Sequence, residues 1–155
     1  MLPRPIRRSD RALTQEQAHE ILKKGEYGVL STVSPDGQPY GVPVSYALTG
    51  NALYFHCAVE GHKLDNLAAN PHVSFCVVGT TEVLPDKFAT RYESAIVFGA
   101  ASELTGEEKH AALMELLKKY SADFIEKGER YVESDIEKTR VFKIEIEALS
   151  GKARR

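Results

Sequence analysis

The stretch from Tyr27 to Cys57 constrains this chain most, because it packs three runs of strand formers between tight turns with no room for a crossover helix. Tyr27-Gly-Val-Leu-Ser-Thr-Val33 is followed by Ser34-Pro-Asp-Gly37, where proline presets φ and glycine accepts a positive one. Gln38 to Leu48 continues as a strand, and Gly50-Asn51 turns it into Ala52-Leu-Tyr-Phe-His-Cys57. Parallel strands need connections of about a dozen residues or more, so this stretch is an antiparallel meander. Proline removes a ladder donor, so Pro43 confines the middle strand to an edge or a bulge and, with Gly41, predicts a kink there.

Elsewhere the period of the pattern alternates between helix and strand. Thr14-Gln-Glu-Gln17 is a capping box, and Ala18, Ile21 and Leu22 follow at helical spacing up to Gly25, which supplies a left-handed stop; a helix is expected over 15–24. Leu64, Leu67 and Ala68 share a helical face before Asn70-Pro71, which places a short helix over 62–69. Val73–Val78 and Ser94–Ala100 read as strands joined by a long loop, Gly79 to Glu93. Thr105-Gly-Glu-Glu108 opens a further helix whose face carries Leu113, Leu116, Leu117 and Tyr120. In Val141–Ala148, Phe142, Ile144 and Ile146 alternate with Lys143, Glu145 and Glu147, the pattern of a half-solvated strand. Five or six strands, with helices too few and too badly placed for βαβ units, give a mostly β fold: an antiparallel β-barrel with peripheral helices.

At 155 residues and 43% hydrophobic content, the chain has the material for one domain with its own core. We expect a basic N-terminal arm over 1–12, with four arginines and two prolines in its first eleven residues, a domain over 13–150 and a tail over 151–155. The net charge of −2 provides no global field for nucleic acid, and no apolar run is long enough to span a bilayer, so a cytoplasmic protein is expected. Cys57 and Cys76 lie in apolar stretches without metal-site spacing and read as free thiols.

Glu60-Gly61-His62-Lys63 is the segment most suggestive of chemistry. His62 and Lys63 stand at the positive end of a helix dipole, where a like charge costs a few tenths of a kcal/mol to about 1. An anion held by the first backbone N–H groups and by these side chains would offset that cost; the alternative is a solvated lysine and a histidine at the core edge. Alternation places Tyr54 and His56 on one face of the preceding strand and Phe55 and Cys57 on the other. His56, His62 and His72 lack carboxylate partners at fixed spacing, so no metal is expected. With no nucleophile elbow, P-loop or GxGxxG present, any chemistry belongs to a bound cofactor.

Tyr27-Gly-Val-Leu-Ser-Thr32, Gly37-Gln-Pro-Tyr-Gly-Val-Pro-Val44, Tyr54–Asn66, Asn70-Pro-His-Val-Ser-Phe75 and Tyr92–Gly99, in this order, resemble the FMN-binding split-barrel proteins. More narrowly, they are similar to nitroimidazole-resistance-type relatives of pyridoxamine 5′-phosphate oxidase. The resemblance implies a six-stranded antiparallel split β-barrel that binds FMN across a homodimer interface. It implies flavin contacts from Val29, Leu30, Ser31 and Thr32 on the first strand, and from Phe55 and His56 near the ribityl-phosphate. It further implies His62 and Lys63 on the phosphate, Asn66 one turn on, and Ser94 reaching the flavin from the second subunit. The oxidase pattern has an arginine where this chain has Tyr27 and a C-terminal tryptophan, whereas this chain has no tryptophan and ends Gly151-Lys-Ala-Arg-Arg155. The expected function is therefore an FMN-dependent oxidoreductase that takes electrons from a small donor and reduces small aromatic or nitroaromatic acceptors. The alternatives are a flavin-binding sensor or carrier, or a split-barrel relative using haem, with His62 as axial ligand, or deazaflavin.

Overall fold

Thr14 accepts a hydrogen bond from the Gln17 amide while the Gln17 side chain accepts one from the Thr14 amide, and this capping box starts α1 (Gln15–Lys24). The computed structural model, which describes residues 4–155, ends α1 at Gly25 in extended conformation and not in the left-handed one expected. Glycine is needed there for another reason: a Cβ would lie 2.4 Å from Val77 Cγ1 and 2.6 Å from the Tyr46 hydroxyl. The strands are β1 (Tyr27–Val33), β2 (Pro39–Ser45), β3 (Ala47–Thr49), β4 (Ala52–Cys57), β5 (His72–Leu84), β6 (Ala89–Leu104) and β7 (Arg140–Arg154). The remaining helices are α2 (His62–Ala69), α3 (Gly106–Tyr120) and α4 (Ile125–Asp135).

All pairings are antiparallel, in the order β2-β1-β5-β6-β7-β4-β3. The two outermost strands, β2 and β3, are joined by one residue, Tyr46. Laid flat, seven strands would hold β2 and β3 about 29 Å apart, given about 4.8 Å between neighbours. Three consecutive residues span at most about 7 Å, so the sheet has to curl until its edges meet, which makes it a split barrel. The expected strand count of six becomes seven because the Gln38–Leu48 run breaks at Tyr46, where the chain crosses this seam. Gly41 and Pro43 stay inside β2, an edge strand that pairs only with β1.

Leu30, Leu53, Phe55, Phe75, Val77, Val97 and Ile144 fill the barrel and are all fully buried. Ile21 and Leu22 of α1 and Leu64 and Leu67 of α2 complete that core. A second apolar cluster forms where Ala112, Leu113 and Leu116 of α3 and Val132 of α4 pack with Ala47, Leu104 and Val141. Phe142, Ile144 and Ile146 face inward as their alternation requires.

Several expectations are corrected at this level. The segment 79–93 is no loop: β5 and β6 run on past a bulge as a hairpin, pairing Thr81 with Tyr92 and Glu82 with Arg91, and Pro85–Lys87 forms the turn. Most of its residues stay exposed, so no apolar period marks it, and only the scattered β-branched residues Thr80, Thr81, Val83 and Thr90 hint at strand. Residues 151–154, expected as tail, complete β7; Gly151 is buried opposite Ala95, where a Cβ would meet that of Ala18 at 2.7 Å. Of the expected arm, residues 1–3 lie outside the described residues, Ser9–Arg11 form a short 3₁₀ turn, and Ala12 bridges to Lys152. The Thr105 side chain makes no capping bond. Helix α4 is an addition, hidden in the sequence by its charge and by Gly128. Among the described residues no helix is long and apolar enough to cross a membrane.

The seam is heavily tied. Tyr46 is fully buried, donates its hydroxyl to the Leu22 carbonyl at the end of α1, and meets Phe75 edge-on at 5.0 Å. Its backbone N–H donates to the Tyr120 hydroxyl at 3.0 Å, and its carbonyl accepts from Lys119 Nζ at 2.8 Å. That ammonium also lies 3.6 Å from the centre of the Tyr46 ring, and burial lowers its pKa to about 8. Tyr46→Phe should therefore cost about 1–3 kcal/mol, the penalty for a buried carbonyl losing its partner, measured by urea denaturation.

Candidate functional site

Helix α2 starts without a side-chain cap. Its N-cap, Gly61, has φ +147°, a backbone conformation that favours glycine. The Leu64 and Asp65 amides donate to the Gly61 carbonyl at 3.0 and 3.2 Å, which leaves the His62 and Lys63 amides outside the helix's own bonds at its positive end. Two unpaired backbone donors at the positive end of a helix that carries Lys63 are the elements of an anion site, and the Lys63 charge is also felt at His56 and Cys57.

A chain of polar contacts fixes this helix start to the β1–β2 hairpin. The His62 ring stacks on Tyr40 with centroids 4.1 Å apart, and its Nε2 lies 3.2 Å from Ser34 Oγ. Ser34 donates to Asn66 Oδ1 at 3.0 Å, so the imidazole nitrogen facing it acts as donor. Asn66 donates in turn to Thr32 Oγ1 at 3.0 Å, and Thr32 to the Tyr40 carbonyl at 3.4 Å. Asn66 and Thr32 are the buried polar residues of the described chain, and they satisfy each other.

One residue along β1 and β2 from the Thr32–Tyr40 pair, the outer face of the sheet begins. Register aligns Gly41, Ser31, Ser74 and Phe98 in one row across β2, β1, β5 and β6, and Pro43, Val29, Cys76 and Ile96 in the next. Val29, Ile96 and Phe98 are 37%, 38% and 40% exposed on this face. Ser94 belongs to the same face, paired with Val78 and Lys152.

The structure therefore brings Thr32, His62, Lys63 and Asn66 together at one end of the barrel and sets Val29, Ser31 and Ser94 on the adjoining outer face. Leu30 and Phe55 point into the core, Phe55 stacked on Phe142 at 5.4 Å, so a contribution from either to the surface would run through its backbone. His56 is exposed at the end of β4; partial burial, with Lys63's charge second, lowers its pKa. Next to it, Cys57 is a free thiol whose pKa burial raises, against the opposing charges of Lys63 and Arg140. Both line a cavity of about 620 Å³ under α3 and α4, walled by Leu113, Leu116, Tyr131 and Ile136. Sequence reasoning missed Ser34 and Tyr40. Both sat in quoted motifs, but their contacts to α2 span more than twenty positions and leave no local trace.

Comparison with known proteins agrees with this architecture. A candidate 5-nitroimidazole antibiotic resistance protein from Bacteroides thetaiotaomicron superposes with a TM-score of 0.76 at 21% identity, over 92% of this chain and 86% of that one. A FAD-binding protein from Mesorhizobium loti superposes with a TM-score of 0.68 at 26% identity, over 94% and 98%. An uncharacterised protein of Rhizobium meliloti (strain 1021) is 31% identical over 96 residues, 61% of this chain; the match spans 57% of that relative's length. The sequence pattern of the pyridoxamine 5′-phosphate oxidase family matches residues 14–153, nearly the whole barrel with its helices, and the chain belongs to that family.

Proposed function

We propose that this protein is an FMN-dependent oxidoreductase that acts as a homodimer and reduces small aromatic or nitroaromatic acceptors. The observation that carries this reading is the uncapped, lysine-bearing start of α2 lying one residue along the strands from an open, largely apolar sheet face. A flavin mononucleotide has the matching shape: a flat apolar ring system at one end and one phosphate at the other. When bound, the flavin supplies the electron-transfer chemistry. The chain's residues bind and orient. Lys63 and the His62 and Lys63 amides take the phosphate, the Ser34–Asn66–Thr32 contacts hold that helix start in place, and Val29, Ser31, Ser74 and Phe98 form the floor for the ring. No side chain of this set is placed as an acid or base.

A second copy follows from the exposed apolar surface. Besides the sheet face, Val83 is 69% exposed and Phe88, at the turn of the projecting β5–β6 hairpin, is 98% exposed, apolar surface of the kind that marks an interaction site. A two-fold pairing of these faces covers them and lets Ser94 of one copy approach the flavin of the other. The haem alternative is less favoured, because the His62 ring is stacked on Tyr40 and its Nε2 engages Ser34.

Purified protein should show flavin absorption, and chromatography of the released cofactor should identify FMN; a haem band or FAD would overturn the assignment. Lys63→Ala should weaken FMN binding by about 1.5–3 kcal/mol, the range for hydrogen bonds to charged groups, as read by fluorescence titration. Light scattering should give twice the 17.2 kDa chain mass for the wild type, and one chain mass for Phe98→Glu. Anaerobically reduced, FMN-loaded protein mixed with a nitroimidazole should regain its oxidised flavin spectrum. A flavin that stays reduced with every nitroaromatic offered would indicate a carrier, and turnover of pyridoxamine phosphate would indicate an oxidase.

A further inference from the structure

Helix α4 holds a feature that the flavin site does not use. Of its residues only Val132 is buried, so α4 rests on α3 with little apolar anchorage. What brings the helices close is Gly128, where a Cβ would stand 2.7 Å from Leu117 Cδ2. Across this contact, His110 of α3 meets Glu129 and Glu133 of α4, with ligand atoms of all three within 4.8 Å of one another. The two carboxylates are four residues apart on one helical face, an arrangement that costs a few tenths of a kcal/mol when both are charged. None of the ion pairs among the described residues relieves it: Lys118 pairs with Glu115, Arg140 with Glu103 and Lys143 with Glu145, and neither Glu129 nor Glu133 is engaged.

We propose that His110, Glu129 and Glu133 form a zinc site that ties α4 to α3. Zinc accepts one imidazole nitrogen and two carboxylate oxygens at about 2.0–2.2 Å and completes a tetrahedron with water; donors in such a site stand about 3.4 Å apart, so these three need to close by at most about 1.4 Å. The donor set also selects among cations. Calcium and magnesium take oxygen ligands and keep their waters, whereas an imidazole with two carboxylates suits the later divalent transition metals. The ion turns the carboxylate repulsion into a cross-helix bridge. Because α3 and α4 together wall the cavity beside His56 and Cys57, the bridge holds that wall in place.

Equilibrium dialysis of the tag-free, full-length protein against ZnCl2, with metal counted by mass spectrometry, tests the site. The wild type should bind one zinc ion more than the Glu129→Gln, Glu133→Gln double variant. His110→Ala should weaken that ion's binding by at least about tenfold. His72→Ala, which removes an exposed histidine elsewhere, should leave it unchanged, and excess MgCl2 should not compete. Hydrogen exchange provides a second readout: zinc should slow exchange in α4 of the wild type and not in the double variant. Equal zinc binding by the wild type and the double variant, or unchanged α4 exchange in the zinc-bound wild type, would overturn the proposal.

Discussion

The fold depends on the closure of the sheet at Tyr46. Seven strands whose first and last members are neighbours in the chain cannot lie flat, and the residue between them has to pass through the interior to join the edges. That passage leaves a backbone N–H and carbonyl outside any ladder, and both are satisfied from α3, by Tyr120 and Lys119. The Tyr46 ring and hydroxyl reach the opposite way, to Phe75 in the barrel and the Leu22 carbonyl of α1. One residue therefore couples the barrel to helices on both sides of the seam, and Gly25 stays small so that α1 can end against it.

Closure divides the sheet into faces with different fates. The inner face is filled by Leu30, Phe55, Phe75 and Ile144, and the outside of β3, β4 and β7 is covered by α3. The outside of β2, β1, β5 and β6 keeps Val29, Ile96 and Phe98 partly exposed, and the unpaired start of α2 meets its edge through the Ser34–Asn66–Thr32 contacts. An open face of this kind is compatible with folding because the barrel core is complete without it, which frees its side chains for binding. The buried polar pair Asn66 and Thr32 sits where that rigid core meets the surface and positions the helix start, the support that the proposed phosphate site needs.

How much of this was readable in the residues varied with the range of the cause. The capping box of Thr14 and Gln17, the alternation of Phe142, Ile144 and Ile146, and the helix start at His62 and Lys63 all act within one turn or one strand, and each appears in the structure where the pattern placed it. The β5–β6 hairpin was missed because both of its faces are exposed beyond Val78, so hydrophobic periodicity had nothing to record. Helix α4 was missed for a related reason: one buried residue leaves almost no apolar stripe.

The sequence by itself determined the antiparallel mostly β class, the positions of α1, α2 and α3, and the basic helix start, because propensity, capping and charge at a dipole are local physics. The tertiary structure alone decided that the middle strand splits at Tyr46, that Gly25 and Gly151 are required by close neighbours, and that Ser34 and Tyr40 serve α2. It alone also brought His110 together with Glu129 and Glu133. Each of these depends on which distant segments meet, and that is settled by closing the sheet and burying its inner face, not by the preferences of neighbouring residues.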